Sequence, residues 1–226
     1  PQEDNPALGW RSIRISLDME TVFRQQLRAI LRASLHGKVR ILFPMVTAVW
    51  EMRAVRSILE KELESLHSGG EGPERMPELG IMLEVPATVK ILDKLAPWVD
   101  FVSIGTNDLI QYTLAADRNN ARVEPWSSPF HPAVIRILQE AKATCTAHGL
   151  PATVCGEAAA IPAFAYLLLG MGYQSLSMSP TSIPSIKHTL RGLSVADAER
   201  ALQQALELEE PASIRQHMVS RLEKEV

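Results

Sequence analysis

Long apolar runs, a cysteine framework and an excess of positive charge are all missing from this sequence. Each absence removes a class of protein. No stretch of about 18 or more apolar residues occurs, so no membrane-spanning helix is expected. There are only two cysteines, Cys145 and Cys155. Two cannot build a disulfide framework, and such sparseness suits a reducing, cytoplasmic compartment. The formal net charge is -3, so a broad basic field for nucleic acid is not expected. No GxSxG, Walker A or GxGxxG fingerprint is present. The six histidines (His36, His67, His131, His148, His188 and His217) are scattered, and none forms a zinc spacing such as HExxH. Internal repeats and low-complexity tracts are missing too. The opening Pro1-Gln2-Glu3-Asp4-Asn5-Pro6 has neither an initiator Met nor an apolar signal segment, and reads as a start in mid-protein.

What remains is a chain of 226 residues, 46% hydrophobic, which suits one large α/β domain over residues 1–226. Short apolar runs alternate with longer helical patterns. The runs at 39–46, 79–85, 100–105, 152–155 and 175–178 are apolar through both faces, as strands of a covered parallel sheet should be. Ile13-Arg14-Ile15 is read as a shorter strand. Between the runs, residues 21–35 carry Leu27, Ile30, Leu31 and Leu35 at helical spacing. Thr47 is placed to cap a second helix bearing Met52, Val55, Leu59, Leu63 and Leu66. Helices are also expected over 132–148, ended by Gly149, over 163–169, from Ser194 with Asp197 three residues on, and over 212–225. Strand alternating with helix implies a parallel sheet with right-handed crossovers.

The chemistry sits where apolar strands end. One run ends in Glu84-Val85-Pro86, a second in Gly105-Thr106-Asn107-Asp108 and a third in Cys155-Gly156-Glu157. In a (β/α) barrel the C-terminal strand ends form the mouth of the active site, so three such ends would converge. Glu84 and Asp108 are hard oxygen donors that suit a divalent cation such as magnesium. The plainer reading pairs Glu84 with an arginine or has it cap the following helix. The Gly105 turn offers backbone N–H groups to an anion, or serves as an ordinary helix start. Arg11, Arg14 and Arg118 offer bidentate donors to phosphate or carboxylate, though surface pairing is the commoner fate of an arginine. Arg24, Arg28 and Arg32 read as a solvated helix face. Cys155 is either an inert core thiol or a functional one, a nucleophile or a proton donor, the latter kept protonated by burial. Cys145, within a helix, looks structural.

Taken together, the motifs resemble Enzyme I of the bacterial phosphotransferase system. Asn5-Pro6-Ala7-Leu8-Gly9-Trp10-Arg11-Ser12-Ile13-Arg14 is similar to its NPxLGxRxIR element, and Gly80-Ile81-Met82-Leu83-Glu84-Val85-Pro86 to its magnesium-glutamate strand. Ser103-Ile104-Gly105-Thr106-Asn107-Asp108-Leu109-Ile110-Gln111-Tyr112 resembles SIGTNDLTQY, with Ile110 in place of Thr. Ala115-Ala116-Asp117-Arg118-Asn119-Asn120 resembles AxDRxN, Cys155-Gly156-Glu157 the CGE motif, and Ser177-Met178-Ser179 with Ile183-Pro184 the last strand and its exit. The resemblance spans nearly the whole chain, in family order. It implies a (β/α)8 TIM-type barrel, present as a partial barrel without its first strands, that binds phosphoenolpyruvate (PEP). It implies magnesium on Glu84 and Asp108, substrate contacts from Arg11, Asn107, Asp108 and Arg118, and Cys155 as the acid that protonates the enolpyruvate carbon. It also implies a homodimer through this domain and a histidine phosphocarrier protein that docks on a separate N-terminal part. That part would carry the acceptor histidine in a GGxTSH-like sequence, which this chain lacks.

The sugar-transport and nitrogen-related forms of Enzyme I both remain open. Pyruvate phosphate dikinase and PEP synthase share the Glu, the GTND and the CGE. The Asp117-Arg118 segment and the Ser177-Met178-Ser179 exit favour Enzyme I. Two further classes compete: a PEP-sensing dimerisation module without turnover, and a lyase on the same barrel type. The Cys155 motif and Arg118 argue against the lyase. Trp126 and Phe130, in the proline-rich loop 124–132, are expected to close over the site as a lid.

Overall fold

The computed structural model describes residues 3–225. Five strands form one sheet: β1 (Arg40–Phe43), β2 (Glu78–Leu83), β3 (Phe101–Gly105), β4 (Ala152–Cys155) and β5 (Leu176–Ser177). All pairings are parallel, and the spatial order is the sequence order β1-β2-β3-β4-β5. With right-handed crossovers and no reversal of strand order, the connecting helices gather on one face of the sheet. This is the winding of a (β/α)8 barrel, and five strands of it are present among the described residues.

The two faces of the sheet differ as that winding requires. Ile81, Leu83, Val102, Ile104 and Val154 point to the helices and are buried. Met82, Ser103, Thr153 and Cys155 alternate with them and are half-buried on the other face. The strands are therefore covered on one face only, which the apolar runs did not foretell. Ser103 and Thr153 were the polar residues that marked the open face.

Eleven α-helices complete the described chain: α1 (Ile13–Asp18), α2 (Glu20–Ala33), α3 (Val49–Ser68), α4 (Pro86–Lys90), α5 (Leu92–Leu95), α6 (Thr106–Leu114), α7 (Pro132–Ala147), α8 (Pro162–Gly170), α9 (Ile183–Arg191), α10 (Val195–Leu206) and α11 (Pro211–Glu225). The three-residue strand expected at Ile13-Arg14-Ile15 is helical instead. Such a short run cannot separate a period of 2 from one of 3.6. Here Ile13 and Leu17, four apart, both pack on the core.

Thr47 does not cap α3. The Glu51 carboxylate reaches back instead and accepts from Thr47 N at 2.6 Å and Ala48 N at 2.8 Å, half of a capping box. At α7 the cap is His131, whose Nδ1 accepts from Ala133 N at 3.1 Å, and Gly149 follows in the left-handed region at φ 65°. Ser194 caps α10 as expected, accepting from Asp197 N at 3.1 Å.

Arg24 and Arg28 are not simply solvated. They clasp Glu62 of α3, with Arg24 Nη1 at 2.7 Å and Arg28 Nε at 3.4 Å, and so tie α2 to α3. Arg32 pairs with exposed Glu71 at 3.1 Å. On the far side, α8 is apolar all round and buried from Ala163 to Leu168, packed under α10 and α11. Gly170 permits the crossing with α10, because a Cβ there would lie 2.4 Å from Ala198 O.

Candidate functional site

Parallel strands bring their C-terminal ends to one edge of the sheet. Register pairs Leu83 with Ile104 and Gly105 with Cys155, so Glu84, the Gly105 turn and Cys155 stand side by side on neighbouring strands. The convergence read from the sequence is therefore present. Most of the buried polar side chains among the described residues gather here too: Glu84, Thr106, Asp108 and Gln111.

Glu84 leaves β2 buried. Its Oε1 accepts from Met45 N at 2.8 Å, a backbone partner presented by the β1 exit, where Met45 is held at φ 60°. Among the described residues it pairs directly with no arginine, and it does not cap α4. Burial, and then the neighbouring Asp108 charge, push its carboxyl up to about 7, against the pull of the Met45 N–H and of Arg11.

Asp108 sits in the first turn of α6. Arg11 Nη2 lies 3.5 Å from its Oδ2 and Arg118 Nη1 lies 3.6 Å from its Oδ1. That Oδ1 is buried without a hydrogen-bond donor among the described residues. Two adjacent carboxylates, one with an orphaned oxygen and one with its pKa pushed up by burial, form a donor set that a divalent cation fits. Among the described residues no third acidic, His or Cys side chain joins them in a metal-binding cluster. Such a cation would then keep positions for water and for a substrate oxygen.

The Arg11 side chain and the Arg118 backbone are held by residues the sequence reading did not single out. Arg11 Nη1 donates to Tyr112 Oη at 3.2 Å, and the Tyr112 hydroxyl donates in turn to Ala7 O. Ala115, left-handed at φ 52°, turns the chain after α6, and buried Gln111 accepts from Arg118 N at 3.0 Å. Gln111 and Tyr112 lie inside the Leu109-Ile110-Gln111-Tyr112 stretch, where a polar pair on a buried helix was the available signal. Arg14 donates to Leu8 O at 2.8 Å and Gly9 O at 2.9 Å and lines a neighbouring cavity.

Asn107 ties the β3 and β4 exits together. Its Oδ1 accepts from Glu157 N at 3.1 Å, which leaves its amide N–H groups for a ligand. Thr106 adds a bond from its hydroxyl to Cys155 O at 2.7 Å. This junction needs Gly156. Its φ is 106°, and a Cβ there would lie 2.3 Å from Thr106 Oγ1.

The Cys155 thiol is half-buried. It accepts from Ser103 Oγ at 3.3 Å and donates to Ile104 O at 3.2 Å. Burial raises its pKa most, the Ser103 bond lowers it, and the Glu84 charge raises it again, so the net direction is upward and the thiol stays protonated. Cys145 is different: fully buried in α7, with its thiol pushed up to about 11 by burial.

This cavity, of about 730 Å³, lies between the 4–8 segment and Val85, Gln111, Tyr112 and Asp117; Glu84, Asp108 and Cys155 do not line it. Neither ring of the expected lid lies over the site here. Phe130 is in the core, edge-on to Phe164 at 5.5 Å between ring centres. Trp126 is exposed and lines a separate groove with Pro211 and Arg215 of α11. The apolar Phe130 found more stabilisation under α8 than over a polar rim.

The sequence profile described as "PEP-utilising enzyme, PEP-binding domain" matches residues 1–195. The chain belongs to this family of PEP-utilising enzymes. Relatives within reach of the family bear out the resemblance to Enzyme I. The chain is 44% identical over 207 residues to a phosphoenolpyruvate-protein phosphotransferase of Staphylococcus carnosus, covering 90% of this chain and 36% of that protein. It is 42% identical over 226 residues to an Escherichia coli K12 protein named for the phosphoenolpyruvate-dependent phosphotransferase system, covering 98% of this chain and 30% of that one. The chain thus spans about a third of the length of these relatives. Its fold is similar to the crystal structure of a citrate lyase from Burkholderia xenovorans LB400, with a TM-score of 0.59 at 20% identity, over 89% of this chain and 67% of that one. No helix of the described PEP-binding domain is long and apolar enough to cross a membrane.

Proposed function

We propose that this PEP-binding domain serves a phosphoenolpyruvate-protein phosphotransferase, transferring phosphate from PEP to a histidine on another part of the protein. The observation that carries the reading is the flanking of buried Asp108 by Arg11 and Arg118, beside Glu84 and across the strand edge from Cys155. PEP brings a phosphate and a carboxylate, and phosphoryl transfer needs positioning and charge neutralisation more than covalent help.

In this reading Glu84 and Asp108 hold magnesium. Bound there, the ion would neutralise charge on the substrate's oxygens. Arg11, steadied by Tyr112, and Arg118, whose backbone N–H is held by Gln111, bind phosphate or carboxylate. Asn107 turns its free amide N–H groups to the substrate. Cys155 gives its thiol proton to the methylene carbon of enolpyruvate once phosphate has left, a general-acid step that needs a neutral thiol. The upward shift of Cys155 supports that role. A histidine phosphocarrier protein as the next acceptor, a homodimer through this domain and a cytoplasmic setting belong to the same proposal.

The test is titration calorimetry of the chain with PEP, with and without magnesium. Magnesium-dependent binding is expected, and it should vanish in Asp108→Asn. Binding that ignores both the metal and Asp108 would sink the assignment.

A further inference from the structure

We propose that Ser103 is a positioning residue for the Cys155 thiol: its hydroxyl fixes the sulfur and steadies the charge left there when the proton departs. The inference rests on the reading of Cys155 as an acid, and it assigns Ser103 a task within that step.

Ser103 and Cys155 lie on adjacent strands and on the same, helix-free face of the sheet, with Ser103 in register with Thr153, two residues before the cysteine. The sulfur has two partners of opposite kind. Ser103 Oγ donates to it at 3.3 Å, and it donates to Ile104 O at 3.2 Å. Only one of these contacts survives proton transfer. As the S–H bond breaks and a C–H bond forms at the substrate's methylene carbon, the S–H electron pair stays on sulfur as a thiolate. The Ile104 carbonyl then has nothing to accept and faces a negative charge. The serine hydroxyl still points its proton at the sulfur, and a bond to an ionised acceptor is stronger than one to a neutral one. A donor to the charged form lowers the cost of forming it.

The surroundings make that donor matter. Burial and the Glu84 charge both push the Cys155 thiol up, and the Ser103 hydrogen bond is the main contact pulling it back. Without it the acid would be too weak to release its proton readily, since an efficient acid lies near the working pH. No other side chain is bonded to the sulfur among the described residues.

The test is alkylation of metal-free protein with iodoacetamide, followed at Cys155 by peptide mass spectrometry, because only the thiolate reacts. Ser103→Ala should react about threefold to tenfold more slowly at pH 8, with the midpoint of its rate–pH curve moved up by one unit or less. Ser103→Thr, which keeps the hydroxyl, should stay within about twofold of the parent. Ser103→Val against Ser103→Thr repeats the contrast at equal shape, and decides the matter if the alanine variant does not fold. Rates for Ser103→Ala or Ser103→Val equal to or faster than the parent would overturn the proposal, as would a threonine variant as slow as valine. The acid role of Cys155 fails on a different observation, namely Cys155→Ala leaving enolpyruvate protonation in the full-length protein unchanged.

Discussion

Glu62 on α3 and Glu84 at the β2 exit are both buried carboxylates, and their surroundings are opposite. Glu62 receives Arg24 at 2.7 Å and Arg28 at 3.4 Å, so its charge is met by two cations that also join α2 to α3. Glu84 receives one backbone N–H, at 2.8 Å, and stands next to a second carboxylate. Glu62 at the α2–α3 seam is met by two arginines, while the arginines of the strand-end rim lie on Asp108 and none is bonded to Glu84 among the described residues. A rim built for stability alone would resemble the seam, because a buried charge left poorly met destabilises the fold. The place beside Glu84 and the unbonded Asp108 Oδ1 is what a cation would fill.

Substitutions in the two regions should therefore separate stability from activity. The largest effect is expected from Cys155→Ala: a loss of about 10²- to 10⁴-fold in turnover of the full-length protein, with PEP binding retained. Steady-state kinetics beside calorimetry read both quantities.

Next comes Gly156→Ala, also at the rim. A left-handed backbone and a clash with Thr106 should cost about 2 kcal/mol or more in urea unfolding. A neutral result would mean that the Asn107–Glu157 junction is looser than its bonds suggest.

At the seam, Glu62→Ala leaves Arg24 and Arg28 without their shared partner. Both arginines keep some contact with water, so about 1–2 kcal/mol of stability should be lost with PEP binding unchanged.

The smallest effect has the reverse sign. Glu84 has an ordinary value of 4.5 and is raised to about 7 in the folded chain. Between those values the folded chain holds a proton that the unfolded chain has lost, so stability falls as pH rises through this window. Glu84→Gln should then gain about 1 kcal/mol at pH 8 in metal-free buffer, a gain that fades below about pH 4.5, and it should lose magnesium-dependent PEP binding. A stability loss at pH 8 would place Glu84 in the same class as Glu62.

Much of the rim was legible in the sequence because strand ends are marked by abrupt changes of residue type. Glu84, Asp108 and Cys155 each follow an apolar run, and parallel winding puts such ends on one edge. The orienting residues were harder to see. Tyr112 reaches Arg11 across 101 positions of sequence and Ser103 reaches Cys155 across 52, so neither pairing leaves a local pattern. Local pattern also misled where it was short or ambiguous. Ile13-Arg14-Ile15 fits a strand and a helix equally, and Phe130 in a proline-rich loop gives no sign of the Phe164 ring awaiting it.

By itself, then, the sequence determined the alternation of elements, the parallel sheet and the motif residues, because periodicity and strand-end chemistry are properties of neighbouring positions. Only the tertiary structure decided which carboxylate is clasped by arginines and which is not, which carboxylate each arginine meets, and which hydroxyl meets the thiol. Those outcomes depend on distances between residues far apart in the chain, and on burial that arises only once the sheet and its helices have packed.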